Sequence, residues 1–544
     1  MALADALKKK LNSKGEKKLI DLLCKADEEL RLSELLDLSS VAEARFLEGE
    51  FAKRTDIQAK LVRRAIASIL LRRLGPGRFL DERRIREAVD RDGMLPRLKN
   101  LYRQMLGMNE EMLKFVRMKG RIPAAKRIVA FGLGGSAIGA YLAREIIQNQ
   151  GYCVPLEIHT SYPENFHGIC SETLVVICSF SGNTEETLYA FDYAQKRTKN
   201  ILILSRGGEL GRLRDEYAFI EIPKSDIQAP RESIGFWLSA FLFIVSSLGL
   251  AKNDDGTSYN FDISEVEAVR RQLDEIDGTC APEVPFKDNP AKQYATYFLY
   301  GTHSGEPSAR IDWGEPREPV VFLDGTDRAI GKRLASQFAE CPEHPVALVV
   351  FCEDAHNEIE SVATVMLEDE LRGRGRRRSY VFISSGACEA EGLSHRESRA
   401  AQRIEATLTK LFDEHRVDFL RVETEGASLL GRKLSLLKLL DWTAVYASIL
   451  LGTNPLPVRF MDMMKDETAK IVGAADREFL RLLVEGGRFP ASEEEVLSDE
   501  RVRRSFPALK RTILKRLIEQ GYLKVESGML DVTDKGKELI EPAR

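Results

Sequence analysis

No C-x-x-C pair occurs in this chain, although it holds eight cysteines (Cys24, Cys153, Cys170, Cys178, Cys280, Cys341, Cys352 and Cys388). Several lie inside apolar runs such as VVICS and LVVFCED, the setting of reduced, buried thiols rather than of a disulfide frame or a metal site. A surplus of charge is missing too: 80 Lys and Arg stand against 84 Asp and Glu. A net charge of −4 makes the chain as a whole a poor polyanion binder, though it leaves room for a local basic face. The beginning, MALADALKKKLNSKGEKK, lacks the apolar centre of a secretory signal, so the expected location is cytoplasmic. Long uncharged runs are scarce. Ile234 to Ala251 (IGFWLSAFLFIVSSLGLA) stands alone between polar α/β segments and reads as a buried helix rather than a span. The similar LSLLKLLDWTAVYASILLG includes Lys438 and Asp441, which argues further against a membrane.

What is present organises into four parts. At 544 residues the chain exceeds what one hydrophobic core serves. Residues 1–86 read as helices only, with apolar residues at three- and four-residue spacing and a GPG punctuation at Gly75 to Gly77. From residue 126 the texture becomes strand, turn, helix, repeated: KRIVAFGLGG, VPLEIHTS, ETLVVICSFSG, NILILSRGG and AFIEIP carry the strands. It recurs in PVVFLDGTDRAIGKRLASQFAE, PVALVVFCED, SYVFISSG and DFLRVET. The fold class is therefore α/β, with two tandem doubly wound parallel sheets at 87–270 and 271–472. Residues 473–544 end in the order helix, Gly turn, strand, tight turn, strand, helix, which suits a small winged-helix-like module. That module reads as having a structural or interaction role, and deleting residues 476–544 is expected to leave any activity within a few-fold.

Two strand-to-helix turns carry the chemistry. AFGLGGSAIG places Gly132, Gly134 and Gly135 where backbone can approach a ligand, with Ser136 beside them. Gly132, Gly134 and Ala137 also fit a dinucleotide fingerprint, but the acid that such a site needs at the end of the next strand, Glu157, lies two residues too deep. The second turn, SFSGNTEET, offers Ser179, Ser181 and Thr184 directly after an apolar strand. Short hydroxyls there act either as a helix cap or as ligands of a phosphate. In a doubly wound sheet both turns open on the carboxyl edge, where ligands bind, and together they point to a phosphorylated small molecule.

GLGGSAIG, SFSGNTEET and APRESIGFW, followed by AHNEIE, SHRESRAAQRIE and NPLPVRFMDMMK, resemble the bifunctional phosphoglucose/phosphomannose isomerases, a family of tandem sugar-isomerase (SIS), flavodoxin-like domains. The resemblance runs from about residue 90 to about 470. It implies an aldose–ketose isomerase that interconverts glucose 6-phosphate, with mannose 6-phosphate as a second aldose, and fructose 6-phosphate through a cis-enediol. It assigns the proton-transferring base to Glu358, ring opening to His395, sugar orientation to Lys465 and charge stabilisation to Arg231. His356 and His415 are weaker candidates for the ring-opening role. The phosphate falls to Gly135, Ser136, Ser179, Ser181 and Thr184. No step demands a metal or an organic cofactor. The resemblance also implies a homodimer whose ring-opening histidine reaches into the partner's site. Leu456 and Val458 stand where the family carries small hydroxyls, so it does not reach the choice between glucose and mannose forms. EDELRGRGRRRS and YGTHSGEPSARIDWGEPRE read as insertions, near 369–379 and 301–319. The competing reading is a phosphosugar-sensing transcriptional regulator. Its support is Arg501 to Arg516, rich in basic residues, although acids elsewhere in the module offset them and predict only weak, salt-dependent contact with DNA.

Overall fold

The computed structural model describes residues 52–163, 168–308, 310–351, 364, 377–386, 395–456, 470–487 and 489–540. Within them the chain forms two compact units that interleave in sequence. One holds residues up to 102, 148–151 and 262–457; the other holds 103–147, 152–261 and 458 onward.

In the second of these units, α2 (Leu101–Lys119) precedes β1 (Arg127–Gly132), α3 (Gly135–Asn149), β2 (Leu156–His159), β3 (Thr173–Ser179), α4 (Glu185–Ala194), β4 (Ile201–Ser205), β5 (Ala218–Glu221) and α5 (Ile234–Leu248). α1 (Ala52–Asp81) belongs to the first unit. The five strands pair in parallel in the order β2-β1-β3-β4-β5. This is the flavodoxin-like order, whose chain direction across the sheet reverses between β1 and β3. Central β3 and β4 are buried along their whole length, whereas β2 and β5 at the edges are buried only in part. Continuous Val/Ile/Leu runs rather than alternation are what helices on both faces demand. The apolar run at Ile234 is α5; together with the turn before it, Pro230–Leu248 makes a 19-residue helical stretch long and apolar enough by composition to cross a membrane, and most of it is buried within the protein.

The first unit contains α6 (Ile263–Thr279), α7 (Pro290–Tyr300), β6 (Glu318–Leu323), α8 (Arg328–Glu340), β7 (Ala347–Val350), β8 (Arg378–Ser384), α9 (His395–Glu414), β9 (Phe419–Glu423) and α10 (Leu429–Leu450). Its four strands are parallel in the order β7-β6-β8-β9, the same plan one strand shorter. The α/β reading with two doubly wound sheets holds. GPG punctuates the N-terminal helix as read: Gly75, at φ 70° and ψ 160°, breaks α1, and Pro76 opens a second short helical segment, where its missing N–H costs nothing, that runs to Asp81. Beyond the turn, Gly77 N donates to Gly305 O at 2.9 Å, and Asp81 accepts from Lys292 Nζ at 2.8 Å and from Phe286 N at 3.0 Å. The helical segment and part of the 301–319 insertion are thereby tied to the second sheet's unit.

After residue 473 come α11 (Ala474–Glu485), short helices at Glu493–Ser498 and Glu500–Ser505, α12 (Lys510–Glu519), the antiparallel pair β10 (Leu523–Glu526) and β11 (Met529–Val532), and α13 (Asp534–Ile540). The helix–strand–strand–helix order is the one read from the sequence. The module is built into the first sheet's unit, which supports a structural role and argues against its being dispensable. Phe479, Leu480, Leu483, Ile513, Leu514 and Leu517 share one hydrophobic core with Val175, Ile177, Leu188 and Phe191 of the first sheet and α4. Buried Asp192 on α4 accepts from Ala508 N at 2.9 Å and Leu509 N at 3.1 Å, and Gln195 Nε2 donates to Arg504 O at 2.9 Å. An amphipathic helix read alone shows that it packs, not what it packs against; here its partner is α4.

Burial pushes the Asp192 carboxyl up to about 7, against the opposing pull of those two amides and of Lys196 and Lys510. The folded chain then keeps a proton that the unfolded chain releases near its ordinary value of about 3.9. The folded state binds the more protons in that window, so this group's contribution to stability falls as pH rises from about 4 to about 7. Asp192→Asn removes that slope. Its melting temperature, measured against wild type, should improve between about pH 4 and about pH 7.5; a constant difference would contradict the assignment.

Candidate active site

The reversal between β1 and β3 places two loops side by side at the carboxyl edge of the first sheet: Leu133–Ser136 after β1 and Phe180–Thr184 after β3. Gly132 pairs with Cys178 at the last rung before the two loops part. In such sheets this crevice is where ligands sit.

Within the second loop the hydroxyls are organised by the chain itself. Ser179 Oγ lies 3.0 Å from Thr184 Oγ1 and accepts from Gly182 N at 3.1 Å. Ser181 Oγ accepts from Asn183 N at 3.2 Å, and Asn183 Oδ1 accepts from Glu209 N at 2.9 Å. Thr184 occupies the N-cap position of α4, yet its side chain makes no capping bond. The cap answer therefore fails for Thr184, whose hydroxyl is turned to Ser179. Gly182 has φ 71°, and a Cβ there would collide with Gly207 O. Only glycine admits that left-handed turn against a neighbouring backbone. Ser179 is buried, whereas Ser181 is exposed at the lip. Two acids, Glu185 and Glu186, follow in the first turn of α4.

The third motif, APRES, closes on the first loop. A Cβ on Gly135 would lie 3.0 Å from Pro230 O and 3.4 Å from Arg231 Cα, so the two segments touch through backbone. Arg231 is buried, 3% exposed, and its segment is fixed on both sides. Glu232 Oε1 accepts from Gln228 N at 3.0 Å and Ala229 N at 2.6 Å. Gln104, on α2, donates to Glu232 O at 2.6 Å and accepts from Gly235 N at 3.0 Å. Ser136, buried at the start of α3, donates its amide to Leu133 O at 3.2 Å. Gly135, Ser136, Ser179, Ser181, Thr184 and Arg231 thus stand on one edge of one sheet.

The corresponding edge of the second sheet is different, and sequence reasoning missed it. Asp327, after β6, accepts from Ser385 N, after β8, at 2.9 Å, which locks the two strand ends together. Its other oxygen takes Lys433 Nζ of α10 at 2.7 Å, and both side chains are almost wholly buried. Asp324 in the same turn accepts from Thr326 N at 2.8 Å, and burial raises its carboxyl above the ordinary range. An acidic turn sealed by an internal lysine offers an anion nothing. The available signal was the lysine itself, a charge inside the apolar stretch LLGRKLSLLKLLDW.

Glu358 and Lys465 lie outside the described residues, as do His356 and Val458. His395 opens α9, with its side chain outside the described set; His415 follows that helix, its amide donating to Leu411 O at 3.1 Å.

Residues 314–468 match the family model of the bacterial phospho-glucose isomerase C-terminal SIS domain. A bifunctional phosphoglucose/phosphomannose isomerase from Caldicellulosiruptor bescii is 29% identical over 350 residues, 63% of this chain and 90% of that one. Its namesake from Aquifex aeolicus is 27% identical over 348 residues, again 63% of this chain and 91% of that one. A D-glucosamine-6-phosphate 4-epimerase from Sulfolobus acidocaldarius is 32% identical over 106 residues, 19% of this chain and 32% of that one. The resemblance carried by the motifs is therefore matched along the chain, which is a relative of the bifunctional phosphoglucose/phosphomannose isomerases with a phospho-glucose isomerase type SIS domain at residues 314–468.

Proposed function

We propose that this chain is a phosphosugar isomerase that interconverts fructose 6-phosphate with glucose 6-phosphate and, as a second aldose, mannose 6-phosphate. The observation that carries the reading is the hydroxyl turn Ser179–Thr184 at the reversal between β1 and β3, joined there by the Gly135 and Arg231 segments. The phosphate would rest on the hydroxyls of Ser179, Ser181 and Thr184 with Gly135 and Ser136 beside it. Starting from fructose 6-phosphate, His395 opens the ring by giving a proton to the ring oxygen as the anomeric hydroxyl loses one, and Lys465 orients the open chain. The Glu358 carboxylate takes a proton from C1 while the C2 carbonyl oxygen gains one, giving the cis-enediol; O1 then loses its proton as Glu358 returns its own to C2, leaving the aldehyde at C1. Arg231, always charged, stabilises the enediolate oxygens.

The purified chain, given fructose 6-phosphate, should produce glucose 6-phosphate in an assay coupled to its oxidation. Absence of any aldose product would refute the reading. The regulator alternative loses its main support in the fold: Arg516 of the basic run is buried against Asp476 and Glu185, and Arg504 pairs with Glu500.

For the phosphate seat, Ser181→Ala is the clean probe because Ser181 is exposed and its one described bond is local. A hydrogen bond to a charged acceptor contributes roughly 1.5–3 kcal/mol, so KM for the phosphosugar should rise about tenfold or more. The melting temperature should hardly move. A lowered melting temperature with unchanged KM would return the turn to a purely structural role.

The homodimer also belongs to this reading. If His395 serves the partner's site, mixing inactive Glu358→Gln protein with inactive His395→Ala protein should restore part of the turnover, since a hybrid holds one site with both groups intact. No recovery after subunit exchange would place both residues in one chain's own site.

A further inference from the structure

Glu185 is the first residue of α4, one position after Thr184, and a carboxylate there competes with a bound phosphate for the same positive helix end. The chain meets that carboxylate with a cation from far along the sequence. Arg516 on α12, 5% exposed at the side chain, holds Nη2 at 2.7 Å from Glu185 Oε2 as an ion pair. Its Nη1 donates to Asp476 Oδ2 at 3.1 Å and to Ile471 O at 3.2 Å. Asp476 is itself buried and anchored by Gly473 N at 2.8 Å. Arg511 on the same helix lies 3.7 Å from Glu209, whose amide holds Asn183 of the hydroxyl turn.

We propose that Arg516 is a positioning residue for the phosphosugar: by holding the Glu185 carboxylate away from the hydroxyl turn and cancelling its charge, the C-terminal module completes the phosphate seat on the first sheet. The proposal rests on the phosphosugar reading of that turn and adds to it a part of the chain that the two sheets do not contain. Without the guanidinium, Glu185 becomes an unneutralised negative charge next to the place where a dianion must bind.

Removing Arg516 alone would also strand Asp476, so the test uses neutral replacements. In Asp476→Asn/Arg516→Met only Glu185 is left charged, on a side chain that reaches solvent; the triple variant adds Glu185→Gln. Repulsion between the uncovered Glu185 carboxylate and a phosphate dianion at the same helix end should raise KM for fructose 6-phosphate roughly three- to tenfold in the double variant. It should return to near wild type in the triple variant, with kcat and melting temperature alike in the two. Equal KM values in double and triple variants would overturn the proposal. Should the double variant not fold, Glu185→Gln alone decides: the proposal expects KM unchanged or lower, and a rise refutes it. Dissociation constants for inorganic phosphate, taken by calorimetry on the same proteins, read the charge without turnover. A wild-type chain that binds phosphate and isomerises nothing would refute the substrate reading and leave the charge effect to be judged on its own.

Discussion

Glu358→Gln should lower kcat for fructose 6-phosphate by a factor on the order of 10² to 10⁴ while leaving KM nearly unchanged. On the proposed mechanism the substitution keeps the shape of the side chain and removes the carboxylate assigned to carry a proton between C1 and C2. An isomerisation with one base for both transfers has no second route, so the loss falls on the chemical step rather than on binding. The check has two parts. Steady-state turnover gives the size of the loss, and exchange of the C1 hydrogen with solvent deuterium should fall in step with it. A variant that turns over at near the wild-type rate would remove Glu358 from the mechanism.

The second large effect concerns the C-terminal module. Cutting the chain after residue 472 should give an insoluble protein, or a soluble one with turnover reduced by more than tenfold. The apolar side chains of α11 and α12 are part of the core built on β3 and α4. Each large one contributes about 1.5–3 kcal/mol by burial, and the surface they leave is contiguous. The cut also takes away both amides that satisfy the buried Asp192 carboxyl and the cation that meets Glu185. A soluble product of residues 1–472 with turnover within a few-fold of the full chain would show that the first sheet stands without the module.

The parts legible in the sequence are those set by local pattern. VVIC and ILIL are strands because a β-branched apolar run between polar turns has no other stable use in an α/β chain. The left-handed glycine and the hydroxyls of SFSGNT announce a tight turn at the strand end, and the repeated helix crossovers make the strands parallel, although they leave open the order β2-β1-β3-β4-β5 that the sheet adopts. Long-range pairings leave weaker traces. Asp192 sits in the apolar stretch LYAFDYA, and Asp441 and Lys438 sit in LKLLDW. Such charges are marks of buried partners, but the partners lie far off: Ala508 for Asp192, Arg333 at 3.0 Å for Asp441, Asp277 at 2.6 Å for Lys438. No spacing rule connects residues 316 positions apart, as Asp192 and Ala508 are. The Arg501–Arg516 run meets the same limit, because a basic segment looks alike in sequence whether it faces a nucleic acid or, as Arg516 does, a carboxylate of its own chain.

The lysine seated on Asp327 gives the second sheet a resident ligand. Its ammonium is covalently part of α10, so its local concentration never varies and the strand ends it joins are held under all conditions. Among the described residues no lysine is seated on the hydroxyl turn of the first sheet. On the proposed reading its occupancy would follow the concentration of the phosphosugar, and at a hundredfold excess over Kd the bound state would be favoured by about 2.7 kcal/mol. Two sheets of one plan would then answer differently to metabolic supply: one permanently filled, the other steadied in proportion to what the cell feeds it.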